Sequence, residues 1–287
     1  MKFDNDFKEM KIRHIVFMFL LVLLFSISGA IVIALKKGDI SNTDTNILSL
    51  IVEILLVFMM AFKLKLSKEN VKRLYLDFRE NINIKETIWI ILFIACLQIG
   101  SNNILVDLAY LISPDFANWF ANDSSMVINT ITDYLIVFIM VVFLAPFTEE
   151  IIFRNTIFKR LAKKFNVYIG LIVSSIIFCS VNFGTQMVGI FLLGIVNCVL
   201  YVKYENILIP MFIYFLDGII GMIFIVLFDG FGTQTIILTS RDMIFYAVSG
   251  IILFAIGIAF FIKFIRENKG YLRAMYNKKN QLEPTQI

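Results

Sequence analysis

Two adjacent carboxylates, Glu149 and Glu150, stand at the end of a long apolar run, and Arg154 follows four residues after the second. Charged groups at the edge of a bilayer's hydrocarbon are costly, so they require a partner, water or a chemical role. On a helix, Glu150 and Arg154 share a face at i,i+4 spacing, which predicts an ion pair. Glu149 shares its face with Phe153 instead, so it remains available as a general acid or base. These residues alone leave open a second interpretation, an ion-paired helix end with both carboxylates solvated.

Polar residues in three other apolar stretches could join such a site. Asn182 lies near the end of one stretch, and Asp217 lies inside another, where Pro210 frees a backbone carbonyl. Glu53 occupies the middle of an earlier apolar stretch and is expected to face the interior of the helix bundle.

Several other chemistries are disfavoured by residue type. His14 is the only histidine, and the three cysteines lie inside apolar runs without paired spacing. A conventional zinc site needs several such ligands, so we predict no metal site and no cofactor. The net charge of +4 comes from basic residues at the ends of apolar stretches, so we expect no nucleic-acid partner.

The elements that position these residues are predicted to be membrane helices. Of the 287 residues, 59% are hydrophobic and only 17% are charged, and the mean hydropathy is +0.84. Apolar stretches of about 18 or more residues recur, which is typical of transmembrane helices, and their continuity is unlike the alternating pattern of a β-barrel. The sequence therefore predicts an all-α polytopic protein of the cell membrane.

About eight transmembrane helices are predicted. The expected spans are 14–35, 46–62, 87–112, 126–147, 167–183, 185–202, 207–228 and 243–265. We divide the chain into an N-terminal membrane region, 1–124, a core, 125–230, and a last span with a basic tail, 231–287. Within the first region, 63–86 combines basic and apolar residues in a pattern that predicts an amphipathic helix at the membrane surface. A basic segment from Arg154 to Lys164 is expected to follow the fourth span.

The distribution of basic residues predicts the orientation in the membrane. With the N-terminus inside, the inner segments hold 23 of the 26 Lys and Arg residues, and only Lys36, Lys37 and Arg241 fall outside. Such asymmetry favours cytoplasmic N- and C-termini. It also places Glu149 and Glu150 toward the cytoplasmic side.

The stretch Glu149-Glu150-x-x-x-Arg154 resembles the first motif of the CPBP/Abi family of intramembrane proteases. That family includes the type II CAAX prenyl endopeptidases, the Rce1-like glutamate proteases. Phe178-Cys179-Ser180-Val181-Asn182 is similar to the family's FxxxH motif, and Asn206-Ile207-Leu208-Ile209-Pro210-Met211 resembles the lead-in to its HxxxN/D motif. The resemblance covers about 125–230, and eight spans with cytoplasmic termini also match the family.

The resemblance implies roles for the motif residues. Glu149 would activate a water for attack on a peptide carbonyl, a second-motif histidine would assist, and the third motif would stabilise the oxyanion. This chain departs from the pattern at both histidines. Asn182 occupies the second-motif position. The third-motif histidine position is Ile213 if Asp217 takes the Asn/Asp place, or Tyr214 if the register follows Pro210.

The missing histidines predict a degenerate site. Asn182 can hydrogen-bond, but it cannot transfer a proton near neutral pH. Losing an oxyanion donor costs about 10²–10³ in rate, and losing an acid or base costs about 10²–10⁴. We therefore expect Glu149 to face a binding cavity shared with Asn182 and Asp217. Two rescues stay open: a Tyr214 hydroxyl as oxyanion donor, or a Glu149–Asp217 pair sharing a proton.

Three functions are compatible with these residues. The first is a pseudoprotease scaffold that keeps the fold and binds a membrane protein partner or a lipid, with bacteriocin self-immunity as a role suggested by the resemblance. The second is an active intramembrane endopeptidase with an altered site, acting on a peptide or prenyl-like substrate from the cytoplasmic side. The third is a small transporter whose polar path is lined by Glu53, Glu149, Asn182 and Asp217.

Overall fold

The computed structural model describes residues 10–64, 67–122, 128–182, 184, 186–229 and 238–282. Within those ranges every regular element is a helix. In chain order the helices are α1 (Ile12–Lys37), α2 (Asn42–Leu64), α3 (Lys68–Asn81), α4 (Ile84–Ile112), α5 (Pro114–Asn122), α6 (Ile131–Lys164), α7 (Val167–Val181), α8 (Met187–Tyr204), α9 (Leu208–Phe224) and α10 (Ser240–Leu282).

The predicted all-α polytopic membrane architecture is confirmed. Seven helices of the described chain are long and apolar enough to cross a membrane, namely α1, α2, α4, α6, α8, α9 and α10. The eighth apolar helix, α7, has only 15 residues. At about 1.5 Å per residue it is shorter than the roughly 30 Å of hydrocarbon in a bilayer. The sidedness of the termini stays a prediction.

The fourth span differs from its predicted form. The sequence predicts that it ends near residue 147 and that a basic flank follows, but α6 continues to Lys164. Two side chains of the predicted basic segment, Arg154 and Lys159, are almost completely buried. Lys159 Nζ donates a hydrogen bond to Asn155 Oδ1 at 2.9 Å, so the helix satisfies this charge inside the protein instead of in water.

The helix α6 changes its winding around the acidic pair. A central α-helical segment, Ala145–Glu150, lies between two π-helical segments, Ile139–Leu144 and Ile151–Phe158. Pro146, the second residue of this central segment, has no backbone N–H, which disturbs the normal hydrogen-bond ladder. π-Helical turns are rare in proteins, and many of those that exist lie at functional sites. Glu149 and Glu150 therefore lie in the middle of a helix, not at its end.

Close helix packing surrounds this region. The helix α8 is the most deeply buried of the spans and contacts α4, α7 and α10. The most extensive helix pair joins α4 to α10, where glycines allow the backbones to approach closely. A Cβ atom at Gly100 would meet the backbone of Phe254, and one at Gly257 would meet Leu97. Small residues at helix crossings are a typical device of membrane proteins, in which lipid supplies no hydrophobic driving force.

The stretch 63–86, predicted as an amphipathic helix, contains the end of α2, all of α3 and the start of α4. Ser67 caps α3 by accepting a hydrogen bond from the backbone N–H of Asn70 at 3.1 Å. Leu74 is buried, and Asn206 anchors the helix by donating to the Leu74 carbonyl at 3.0 Å and to Asp77 at 2.9 Å. The helix is thus fastened to the loop between α8 and α9.

Candidate functional site

The predicted ion pair between Glu150 and Arg154 is confirmed. Arg154 Nη1 lies 2.8 Å from Glu150 Oε1, and both side chains are at most 1% exposed. The neighbouring helix α8 completes the pair. Asn197 donates to Glu150 Oε1 at 2.9 Å, and Arg154 donates to the Gly194 carbonyl at 3.3 Å. The pair therefore fastens α6 to the central helix of the bundle.

An aromatic cluster built on Phe178 covers the same pair. The guanidinium carbon of Arg154 lies 4.4 Å from the centre of the Phe178 ring, a cation–π contact. Phe153 and Tyr214 pack edge-on against this ring, at centroid distances of 5.1 and 5.9 Å. Phe178 thus connects α6, α7 and α9 at the level of the acidic pair.

Glu149 points away from Arg154 and is half-buried. Tyr214 donates its hydroxyl to Glu149 Oε2 at 2.9 Å, and Asn182 donates its amide to the same oxygen at 3.4 Å. Asn182 caps the C-terminus of α7, where its amide also donates to the Phe178 carbonyl at 3.2 Å. Three helices therefore bring the predicted site residues Glu149, Asn182 and Tyr214 together.

Of the two candidates for the third-motif histidine position, one contacts Glu149 in the described chain. Tyr214 contacts Glu149, whereas Ile213 is buried in the apolar core. Asp217 lies one turn further along α9 and accepts a hydrogen bond from Gln98 of α4 at 3.0 Å. Within the described chain no hydrogen bond joins Asp217 to Glu149. Asp217 is therefore held by α4 and does not form the carboxyl pair considered from the sequence.

Glu53 faces the interior of the bundle, as its position in the sequence predicts. Thr148 donates its hydroxyl to Glu53 Oε1 at 2.7 Å and also bonds the Leu144 carbonyl at 3.0 Å. Thr148 immediately precedes Glu149, so α2 contacts the acidic stretch directly. The Glu53 carboxylate thus bonds the residue next to Glu149.

Asn197 is the site residue that sequence reasoning missed. It is completely buried in α8 and bonds Glu150. Its only signal in the sequence is an amide in the middle of an apolar span, because a polar group there must find a partner. Gly194, three residues earlier, places its carbonyl against Arg154. Both members of the Glu150–Arg154 pair therefore form hydrogen bonds to α8.

The site offers no cluster of metal ligands. In the ranges that the structure describes, no group of three His, Cys, Asp or Glu side chains could hold a metal ion. Cys96, Cys179 and Cys198 are all free thiols. His14 lies on α1, which supplies none of the hydrogen bonds to Glu149 that the structure describes.

One of three comparisons with known proteins found a match that covers this site. A family model described as type II CAAX prenyl endopeptidase Rce1-like matches residues 131–220. Residues 131–220, here termed the Rce1-like domain, are thus similar to that family. Neither the comparison with curated proteins nor that with solved structures returned a match.

The Rce1-like domain comprises α6, α7, α8 and most of α9. All six of the predicted site positions fall within the matched residues: Glu149, Glu150, Arg154, Asn182, Tyr214 and Asp217. Two of the contacts described above come from outside the domain. Glu53 of α2 bonds Thr148, and Gln98 of α4 bonds Asp217. The N-terminal helices therefore complete the polar surroundings of the Rce1-like domain.

Proposed function

We propose that this membrane protein is a pseudoprotease of the Rce1-like type, which binds a transmembrane or peptide segment of a partner membrane protein without cleaving it. The observation that carries the proposal is the pair of groups bonded to Glu149. A protease of this design needs a group that exchanges protons beside the glutamate, but here the partners are the amide of Asn182 and the phenol of Tyr214.

Neither partner can replace a histidine in proton transfer. A side-chain amide does not gain or lose a proton near neutral pH, and a phenol keeps its proton there. Both groups donate hydrogen bonds to Glu149, which holds the carboxylate in one orientation. The two donors thus leave Glu149 as a fixed acceptor suited to binding.

The surroundings of Glu149 suit a binding role. The Glu150–Arg154 pair and the Phe178 cluster hold α6, α7, α8 and α9 together independently of Glu149. The half-buried Glu149 carboxylate can accept a hydrogen bond from a polar group of a partner helix. Polar contacts of this kind between membrane helices contribute roughly 0.6–2 kcal/mol.

One observation favours the alternative of an active endopeptidase with an altered site. Within the described chain, Arg154 pairs with Glu150 and not with Glu149. A glutamate without a cationic partner keeps the basicity that activation of a water requires. In this alternative the Tyr214 hydroxyl serves as the oxyanion donor.

A cleavage assay with three proteins separates the two functions. Purified wild-type protein, Glu149→Gln, and the double variant Asn182→His/Tyr214→His are incubated in detergent with prenylated and unprenylated reporter peptides. We expect no cleavage by the wild type that depends on Glu149. Cleavage by the wild type that Glu149→Gln abolishes would overturn the pseudoprotease proposal.

Partner retention supplies the complementary measurement. Wild type and variants are purified in mild detergent from the membranes of the cells that express them. Co-purifying membrane proteins are then quantified by mass spectrometry. A stoichiometric partner that the wild type retains, and that Tyr214→Phe or Glu149→Ala releases, supports binding at this site. Repeated purification without any such partner contradicts it.

A further inference from the structure

A groove between α1 and α2 lies at the membrane end where α1 begins and α2 ends. Its volume is about 430 Å³, within the range of small-molecule sites. The walls are apolar and are formed by Phe17, Met18, Phe58, Met59 and Phe62. The three phenylalanines are exposed by 61%, 69% and 78% respectively, so the groove opens on the surface that faces the bilayer.

Cationic side chains surround one end of this groove. Arg13, His14 and Lys63 complete its lining, and no acidic side chain is among the described residues that line it. The charges of Lys11 and Arg160 also contribute to the electrostatic environment of His14. The buried Nε of Arg160 has no hydrogen-bond partner among the described residues. Arg13 of α1 and Lys63 of α2 are therefore the two cations that line the groove itself.

We propose that this groove binds an anionic phospholipid of the cytoplasmic leaflet. One acyl chain lies between the phenylalanine and methionine side chains, and the headgroup phosphate bonds Arg13 and Lys63. The basic distribution of the chain predicts that this end is cytoplasmic, and basic pockets between membrane helices on that side are suited to anionic headgroups. The unbranched methionine side chains adapt to a flexible acyl chain.

The charge of the groove decides between a lipid and a partner helix. A helix docked against apolar walls would bury the phenylalanines, but an apolar helix brings no opposite charge to Arg13 and Lys63. An anionic phospholipid supplies both the apolar chain and the phosphate in one molecule. The proposal does not involve Glu149, so its test is independent of the test of the pseudoprotease function.

Native mass spectrometry with defined lipids tests the headgroup. Protein purified in detergent is given an equal mixture of phosphatidylglycerol and phosphatidylcholine with identical acyl chains. We expect the wild type to retain phosphatidylglycerol preferentially. Arg13→Gln/Lys63→Gln removes two cations, which weakens this preference by about 30-fold if each contributes as a typical surface cation does.

A matched control removes two charges elsewhere. Lys36→Gln/Arg241→Gln changes two exposed cations outside the groove and keeps the same net charge as the test variant. We expect it to retain the wild-type preference. Equal retention of both lipids by the wild type, no retained lipid, or the same loss in the control would each overturn the proposal. Elution as a single monodisperse species verifies that each variant is folded.

Photo-crosslinking identifies the occupant in the native membrane. A benzoylphenylalanine replaces Phe58, which lines the groove, or Leu35, which is 82% exposed near the other end of α1. A phospholipid-sized adduct at position 58 that Arg13→Gln/Lys63→Gln reduces supports the proposal. A protein-sized adduct at position 58 identifies a partner helix and overturns it.

Discussion

At the scale of single residues, two adjacent glutamates have opposite environments. Glu150 is completely buried and paired with Arg154, whereas Glu149 is half-buried and accepts hydrogen bonds from two neutral donors. The difference arises because successive residues of a helix point about 100° apart. One side chain therefore meets α8, and the other meets α7 and α9. The structural role of Glu150 can thus be separated by mutation from the role proposed for Glu149.

Glu150→Gln is expected to destabilise the protein strongly. The substitution leaves Arg154 buried without an opposite charge, and breaking a buried pair in this way costs about 3–5 kcal/mol. Thermal unfolding in detergent measures the effect as a lower Tm. Glu149→Gln is the matched control, because glutamine still accepts hydrogen bonds from Tyr214 and Asn182, and its Tm should stay close to that of the wild type.

A double variant tests whether the loss comes from the uncompensated charge. Glu150→Leu/Arg154→Met removes both charges and keeps similar side-chain volumes, so it should recover part of the Tm lost in Glu150→Gln. Equal Tm values for Glu150→Gln and Glu149→Gln would contradict this account of the ion pair.

At the scale of helices, the acidic stretch depends on how α6 winds and on what packs around it. The π-helical segments on either side of Ala145–Glu150 change the direction of the side chains that follow. The supporting helices meet at close distances, most of all α4 and α10. Since Gln98 of α4 bonds Asp217 of α9, the position of α4 also affects the Rce1-like domain.

Gly100→Ala is expected to disturb the contact between α4 and α10. A Cβ atom at position 100 overlaps the backbone of Phe254, and backbone atoms cannot move aside as a flexible side chain can. Overpacking of this kind costs about 1–3 kcal/mol. Thermal unfolding in detergent should therefore give a lower Tm for this variant.

Gly221→Ala on α9 is the matched control. A Cβ atom there meets nothing within 4 Å, so the same change should be neutral or slightly stabilising. If both alanine variants unfold at the same temperature, close approach of α4 and α10 does not limit stability.

At the scale of the whole molecule, the number of times that the chain crosses the bilayer depends on whether α7 spans it. Seven helices of the described chain are long enough to span, and α7 has 15 residues. If α7 crosses, there are eight crossings and both termini lie on the same side. If it does not cross, the C-terminal end of α10 lies on the side opposite the N-terminus. The distribution of basic residues favours eight crossings.

Cysteine labelling of intact cells tests the predicted topology. In a variant whose three native cysteines are replaced by alanine, single cysteines are introduced at the exposed positions Asp39, Glu69 and Glu267. We expect a membrane-impermeant maleimide to label Asp39→Cys in intact cells. Glu69→Cys and Glu267→Cys should be labelled only after permeabilisation.

Labelling at position 267 shows whether α7 crosses the membrane. Labelling of Glu267→Cys in intact cells, with Glu69→Cys still protected, would show an odd number of crossings. The predicted cytoplasmic C-terminus would then be wrong. Labelling of all three positions after permeabilisation serves as the control for accessibility.

The sequence by itself determined the membrane class, most span positions and the Glu150–Arg154 pair. Long apolar runs leave few structural choices in lipid, because every backbone group must be bonded within its own helix. An i,i+4 pair is equally local, since both residues belong to the same helix. The orientation of Glu53 also followed from the cost of a charge in the membrane.

Only the tertiary structure decided what surrounds the acidic pair. Asn197 of α8 and Gln98 of α4 are distant in sequence from the groups that they bond, and no local pattern connects them. The burial of Arg154 and Lys159 could not be predicted from the sequence either, because a basic segment has the same composition whether it is solvated or enclosed by helices. The partners of Glu149 depend on how α6, α7 and α9 meet, and that contact fixes the orientation of Glu149.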